Sequence, residues 1–266
     1  MTVAPQLIYG TAWKAAETER LTQLALDSGF TAIDTANQRK HYFEAGVGAA
    51  IAGRRDELWL QTKFTHRRGQ DHRLPYDEDA PIETQVAQSF ASSLEHLGTD
   101  HVDSYLLHGP SQNRGFADED VAAWRAIEDV HRSGRAHAIG ISNVSRDQLE
   151  LLLELATVPP TYVQNRCYAS EGWDAEVRTL CRERGIRYQG FSLLTANSRD
   201  LVRPMMDEIM MRLGKTREQI VFRFAIQLGI IPLTGTKSPD HMRDDLEALD
   251  FELSERDVLT VEHIGR

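Results

Sequence analysis

The sequence predicts an α/β fold, a (β/α)8 TIM barrel spanning residues 1–266 as a single domain. Three observations carry that expectation. Short apolar or β-branched runs alternate with helical patterns along the whole chain, the runs number eight, and no linker, low-complexity tract or heptad repeat interrupts them. Eight strands, each followed by a helix, make a parallel barrel. A doubly wound open sheet shows the same alternation, but no strand here is followed by G-x-G-x-x-G, which argues against a Rossmann dinucleotide site.

In chain order the strands are expected at residues 6–10, 31–35, 58–64, 102–108, 136–142, 162–166, 187–193 and 230–235. Residues 17–28, 82–97, 118–133, 146–155 and 174–184 carry apolar side chains at three- and four-residue spacing, as amphipathic helices do, and a last helix is expected near 254–263. Ser145 and Ser238 suit helix N-caps, with Asp147 and Asp240 just inside. Gly29, Gly98, Gly134 and Gly185 fall where helices should stop. The longest irregular stretch, residues 65–81, is polar, basic and aromatic. After strand three of a barrel it lies over the catalytic face.

Composition excludes some functions. With 30 basic and 40 acidic residues the formal charge is -10, which disfavours nucleic acid or an anionic membrane as a general partner. No apolar run approaches membrane-span length, and the opening Met1–Pro5 lacks the charged and apolar regions of a leader. Cys167 and Cys181 match neither a disulfide framework nor a zinc spacing, so no metal site is expected and a reducing cytoplasm is the simplest compartment.

Chemistry-bearing side chains gather at the strand C-terminal ends, the face on which barrels carry their active sites. Asp34, Lys63 and His108 close strands two, three and four. Ser142 and Asn143 end strand five, and Gln164 and Asn165 lie in strand six. Charges at the ends of consecutive apolar strands make poor packing, because unpaired buried charge is costly, whereas Asp, Lys and His together make a proton-transfer site.

The segments IYGTAWK, GFTAIDTA, EAGVGAAI, LWLQTKF, SLEHLGTDHVDSYLLHGP, WRAIEDVHRSGRAHAIGISN, YVQN and PLTGT resemble, in order and almost end to end, the signatures of the aldo-keto reductases. The resemblance implies a barrel that binds NADP(H), less often NAD(H), and an Asp-Tyr-Lys-His tetrad. Asp34, Lys63 and His108 take three of the roles. The family's tyrosine position holds Arg39 here, and the stretch from Asp34 to Glu44 is longer than in that pattern. Tyr42 is the nearest candidate for the tyrosine, and His41 the second candidate for the acid. The implied reaction is transfer of hydride from nicotinamide C4 to a carbonyl carbon while Tyr42 protonates the oxygen. The Lys63 ammonium should lower the phenol pKa, Asp34 should hold Lys63, and His108 should orient the carbonyl.

For the cofactor, the resemblance implies Gly10 and Thr11 after strand one, and Ser142, Asn143 and Gln164 on the carboxamide. Phe191 would stack on the nicotinamide, with Ser192 and Leu194 along the pyrophosphate. At the adenosine end, matching Asp244-Asp245-Leu246 to the family's closing residues puts Gly235, Thr236 and His241 at the places of its Lys, Ser and Arg, with Asp245 in the site. Matching Lys237, Ser238 and Arg243 instead restores those residue types and breaks the spacing. The first alignment keeps a glycine directly after strand eight, and Lys237 can still reach a 2′-phosphate. NADP is the expected cofactor, with NAD the alternative.

Gly109 stands where many members carry Trp, and no long C-terminal substrate loop follows the last helix. Both point to a wide, shallow mouth. Trp13 and Tyr76, with Trp173, could wall it, Trp13 first. The expected activity is reduction of small or medium aldehydes and ketones. The alternatives are an NAD-preferring alcohol or sugar dehydrogenase, and a cofactor-binding, catalytically weak sensor.

Overall fold

The computed structural model describes residues 4–266; Met1, Thr2 and Val3, on which part of the expectation about a leader rests, lie outside the described residues. Eight parallel strands close into a barrel in sequence order. They are β1 (Ile8–Gly10), β2 (Ala32–Asp34), β3 (Trp59–Phe64), β4 (Val102–Leu107), β5 (Ala136–Ser142), β6 (Tyr162–Arg166), β7 (Arg187–Phe191) and β8 (Ile230–Thr234). Pairing of β8 with β1, Ile8 beside Leu233 and Tyr9 beside Thr234, closes the ring and excludes an open sheet. His108 lies one residue past β4, yet its N–H donates to Phe64 O at 2.8 Å and keeps that backbone on the barrel.

Around the barrel run α1 (Thr18–Ser28), α2 (Glu44–Ile51), α3 (Ile82–Leu97), α4 (Asp118–Arg132), α5 (Arg146–Leu155), α6 (Ala175–Arg184), α7 (Pro204–Leu213), α8 (Arg217–Gln227), α9 (Pro239–Leu246) and α10 (Glu255–Glu262). Their apolar stripes face inward. In α1, Leu21, Ala25 and Leu26 are buried, and in α4 so are Ala123, Trp124, Ile127 and Val130. Burying each large side chain contributes about 1.5–3 kcal/mol. Ser145 and Ser238 cap α5 and α9 as expected, accepting from Gln148 N and His241 N. Gly29, Gly98 and Gly185 are left-handed C-caps, while Gly134 lies one residue beyond the α4 C-cap, Ser133. None of the helices among the described residues is long and apolar enough to cross a membrane.

The crossover from β7 to β8 departs from one helix per strand, because it holds both α7 and α8. Gly214, at φ 62°, ends α7, and the reciprocal Thr216–Gln219 capping box starts α8 at once.

Two clusters share the core. The larger fills the space between barrel and helices, while Ile8, Ala32, Trp59, Leu106, Tyr162 and Leu233 form a separate apolar cluster. Side chains alternate along a strand, so the residues two positions on from Ala32, Trp59 and Tyr162 face the same way. Those residues are Asp34, Gln61 and Gln164, and Lys63 follows Gln61. The barrel interior therefore changes from apolar to polar toward its C-terminal end.

Candidate active site

At that polar end, Lys63 Nζ lies 2.6 and 2.7 Å from the two Asp34 carboxylate oxygens and 2.7 Å from Thr35 O, and both side chains are buried. An ammonium has three hydrogens, and these three acceptors use them all. Burial pulls the Lys63 pKa down, and the Asp34 charge opposes it.

The loop between β2 and α2 delivers Tyr42. Asn37 Nδ2 donates to Ser89 O, Gln38 Nε2 donates to Gly69 O, and Tyr42 N donates back to Gln38 O at 2.9 Å. The added residues thus form a pinned turn. Tyr42 lies edge-on to His108, ring centroids 5.8 Å apart, with Lys63 Nζ 5.4 Å from its ring centroid. Arg39 instead packs its guanidinium over Phe43. His41 stacks on Trp13 at 3.7 Å between centroids, at the mouth.

One electrostatic expectation is corrected. Burial, and after it the Asp34 charge, raises the Tyr42 phenol above its ordinary value rather than lowering it. The reason is visible in the contacts: the Lys63 hydrogens are spent on Asp34 and Thr35. His108 is driven down to about 3, by burial first and then by the charges of Lys63 and His41, so it is neutral near pH 7. Its Nδ1 lies 2.7 Å from Thr65 Oγ1.

These groups face a cavity of about 690 Å³. Gly10, Trp13, Asp34, Tyr42 and His108 line one side. Ser142, Asn143 and Gln164 line it from β5 and β6, and Phe191, Ser192 and Leu194 from the end of β7. Gly235, Thr236, Lys237, His241 and Asp245 complete the wall after β8, whereas Ser238 and Arg243 are not on it. Ser238 is spent on capping α9, and Arg243 pairs with Asp240. Asp245 accepts from Thr234 Oγ1 at 2.6 Å, and burial raises its pKa to about 7. Trp13, Asn143 and Ser192 adopt left-handed backbone with φ 63°, 52° and 58°, a strain of the kind concentrated at binding sites.

Three expected contacts fail. Thr11 turns away from the cavity, its N and Oγ1 both donating to Asp34 O at 3.0 and 2.9 Å. Tyr76 is 7% exposed, packs on Phe64 and donates to Thr65 O at 2.8 Å, so it braces the loop over the face rather than walling the mouth. Trp173 is buried against Phe224 and donates to Val261 O. A second cavity, about 1100 Å³, adjoins the first at His108, Asn143 and Arg166; Gly109 and Arg68 of the long loop line it.

Sequence reasoning missed Lys14, Gln61, Gln189 and Arg166. Lys14 is buried, donates to Gly235 O at 2.9 Å and lies 4.9 Å from the Tyr9 ring centroid. Gln61 and Gln189 stand two residues before Lys63 and Phe191, and that period-two register was the available signal.

The aldo/keto reductase family model matches residues 6–266. A glyoxal reductase of Bacillus subtilis is 28% identical, the match covering 94% of this chain and 84% of that protein. An aldo-keto reductase of Mycolicibacterium smegmatis is 30% identical over 97% of this chain and 88% of its own length. The crystal structure of an aldo/keto reductase from Brucella melitensis superposes with a TM-score of 0.84 at 28% identity, covering 97% of this chain and 93% of the other. With a closed barrel, a buried Asp–Lys pair and a cleft above it, the chain belongs to the aldo/keto reductase family and is an oxidoreductase.

Proposed function

We propose that this chain reduces aldehydes and ketones to alcohols with NADP(H), Tyr42 protonating the carbonyl oxygen. The observation that carries the reading is that Asp34, Tyr42 and His108 line one cavity wall, with Lys63 buried behind them on Asp34. Burial and Asp34 keep the phenol protonated through the neutral range, so it is a donor in the direction of reduction. With the Thr65 hydroxyl donating to Nδ1, neutral His108 carries its hydrogen on Nε2. That N–H orients the carbonyl oxygen and stabilises negative charge as it forms.

The cavity also suits the cofactor. Lys14, pulled down to about 8 by burial and by the charge of Lys237, has no carboxylate partner among the described residues. Like charges held close together favour an anion, and the phosphates of NADP(H) fit that need. Phe191 offers a flat face, and Ser142, Asn143 and Gln164 offer polar edges to the carboxamide. When bound, the cofactor supplies hydride to the carbonyl carbon. Trp13, 69% exposed and stacked on His41, is placed to contact substrate, and the adjoining cavity leaves room for medium-sized carbonyl compounds. The glyoxal reductase among the relatives supports a small aldehyde as first substrate.

Oxidation of NADPH and of NADH by the purified protein with an aromatic aldehyde tests this. Turnover is expected, faster with NADPH, and Tyr42→Phe should lower kcat by about 10²–10⁴-fold with cofactor affinity kept. Cofactor binding without turnover would instead favour the sensor reading. Full activity in Tyr42→Phe would remove Tyr42 from the mechanism.

A further inference from the structure

Beneath the cavity, Gln61 and Gln189 form a reciprocal amide pair that touches no solvent. Gln61 Nε2 donates to Gln189 Oε1 at 2.9 Å, and Gln189 Nε2 donates to Gln61 Oε1 at 3.0 Å. The pair is tied to two groups of the site. Gln61 Nε2 also donates to Asp34 Oδ1 at 2.6 Å, and Gln164 Nε2 donates to Gln189 Oε1 at 2.9 Å and to Asp34 Oδ1 at 3.1 Å. Four side chains from β2, β3, β6 and β7 therefore close a ring.

The polarity of that ring follows from donors and acceptors alone. Asp34, ionised opposite Lys63, only accepts. Gln61 and Gln164 must each turn NH2 toward it. Gln189, reached by the remaining hydrogen of each, must then turn its carbonyl to both and its NH2 to Gln61 Oε1. Rotating any one amide would set donor against donor, or acceptor against acceptor, in a buried site, at a cost larger than a typical hydrogen bond is worth. Both hydrogens of Gln164 Nε2 are spent in the ring. Among the described residues no protein donor reaches Gln164 Oε1, although Gln164 lines the cavity.

We infer that Gln61 and Gln189 are positioning residues that, together with Asp34, lock Gln164 as a hydrogen-bond acceptor toward the cofactor, selecting a nicotinamide carboxamide by its N–H. The inference rests on the proposed nicotinamide site. It goes further by giving the polarity of one contact and the two buried residues that impose it.

The test compares dissociation constants of NADP+ and its 3-acetylpyridine analogue, which has a methyl group in place of the amide NH2, by quenching of intrinsic tryptophan fluorescence. Wild type should bind NADP+ tighter by about fivefold, the worth of one hydrogen bond. In Gln189→Met, Gln164 keeps only its longer 3.1 Å contact to Asp34, and in Gln61→Met the Gln189 amide loses the acceptor that fixes its direction, so in both the ratio should fall toward one. Thermal unfolding identifies which variants are folded. An unchanged ratio in either folded variant, or equal affinities in wild type, overturns the inference. Because the readout is binding, the two readings separate. A protein that reduces nothing but shows the selective ratio, lost in Gln189→Met, refutes the reductase and keeps the lock. Failure to bind either nucleotide overturns both.

Discussion

Two ends of one barrel interior are stabilised by opposite means. Toward the strand N-termini, Ala32, Trp59 and Tyr162 fill the ring with apolar surface, at roughly 25 cal/mol per Å² removed from water. One strand repeat further up, Asp34, Gln61, Lys63, Gln164 and Gln189 occupy equally buried positions with charges and amides. Desolvating those groups costs stability unless each finds a partner, and here the Asp34–Lys63 pair and the glutamine ring supply them. The lower end holds the barrel together. The upper end gives up some of that stability for groups with fixed direction, which a reaction requires.

Single and paired substitutions should separate the two ends. Lys63→Met leaves a buried carboxylate unpaired and should cost about 3–5 kcal/mol in denaturant unfolding. Adding Asp34→Asn removes the stranded charge and should recover most of that loss, with turnover still absent. Trp59→Ala, at the lower end, should cost a similar 3–5 kcal/mol through the cavity it leaves. No partner change at Asp34 can repair it, and a folded Trp59→Ala protein should keep its cofactor affinity. If Lys63→Met unfolds like wild type, Asp34 is not charged in the folded chain and the contrast between the two ends collapses.

How much of this was legible beforehand follows the same division. Strand period, glycine stops and Ser145 and Ser238 caps reflect local backbone chemistry, so eight strands and most helices could be read directly. Asp34, Lys63 and His108 stood out as charged or titratable groups at the ends of apolar strands. Direction was harder. Thr11 was expected on the cofactor and Tyr76 and Trp173 at the mouth, yet each is turned inward by a hydrogen bond to a distant carbonyl, of Asp34, Thr65 and Val261 in turn. Gln61 and Gln189 sit 128 positions apart in sequence, and nothing local announces that their amides meet. The fall in the Tyr42 pKa expected from Lys63 was misjudged for a related reason. Which acceptors an ammonium satisfies is decided by packing, not by sequence.

Lys14, buried behind Gly235 of the cavity wall, sharpens the comparison, because there burial would be traded against an incoming anion rather than an internal one. Its pKa near 8 lies below the ordinary lysine value, so between about pH 8 and 10.4 the unfolded chain binds the proton that the folded chain has lost. On this account the folded protein should gain stability as pH rises through that window. Cofactor affinity should move the other way, being full below pH 8 and weakening as the amine deprotonates, by about tenfold for each pKa unit the phosphates restore. Titration of NADP+ binding from pH 6.5 to 9.5 shows this directly. Lys14→Met should bind more weakly at pH 7 and flatten the profile, and a wild-type profile already flat would remove Lys14 from the anion site.

The smallest expected effect lies at the boundary between the reacting groups and the loop above them. Thr65 Oγ1 reaches His108 Nδ1 at 2.7 Å, and Thr65 O receives the Tyr76 hydroxyl, so the loop's anchoring and the imidazole's orientation share one residue. Val has nearly the shape of Thr and leaves the carbonyl contact intact, but it removes the hydroxyl. The imidazole can then place its hydrogen on either nitrogen, and only the Nε2–H form presents a donor to the carbonyl. Thr65→Val should therefore lower kcat by roughly three- to tenfold, the worth of about 0.5–1.5 kcal/mol of hydrogen bonding, with NADP+ affinity unchanged. Thr65→Ser should restore it, because the hydroxyl returns. Equal loss in both variants would point instead to the loop, since Ser lacks the methyl group that packs there and Val lacks only the hydrogen bond.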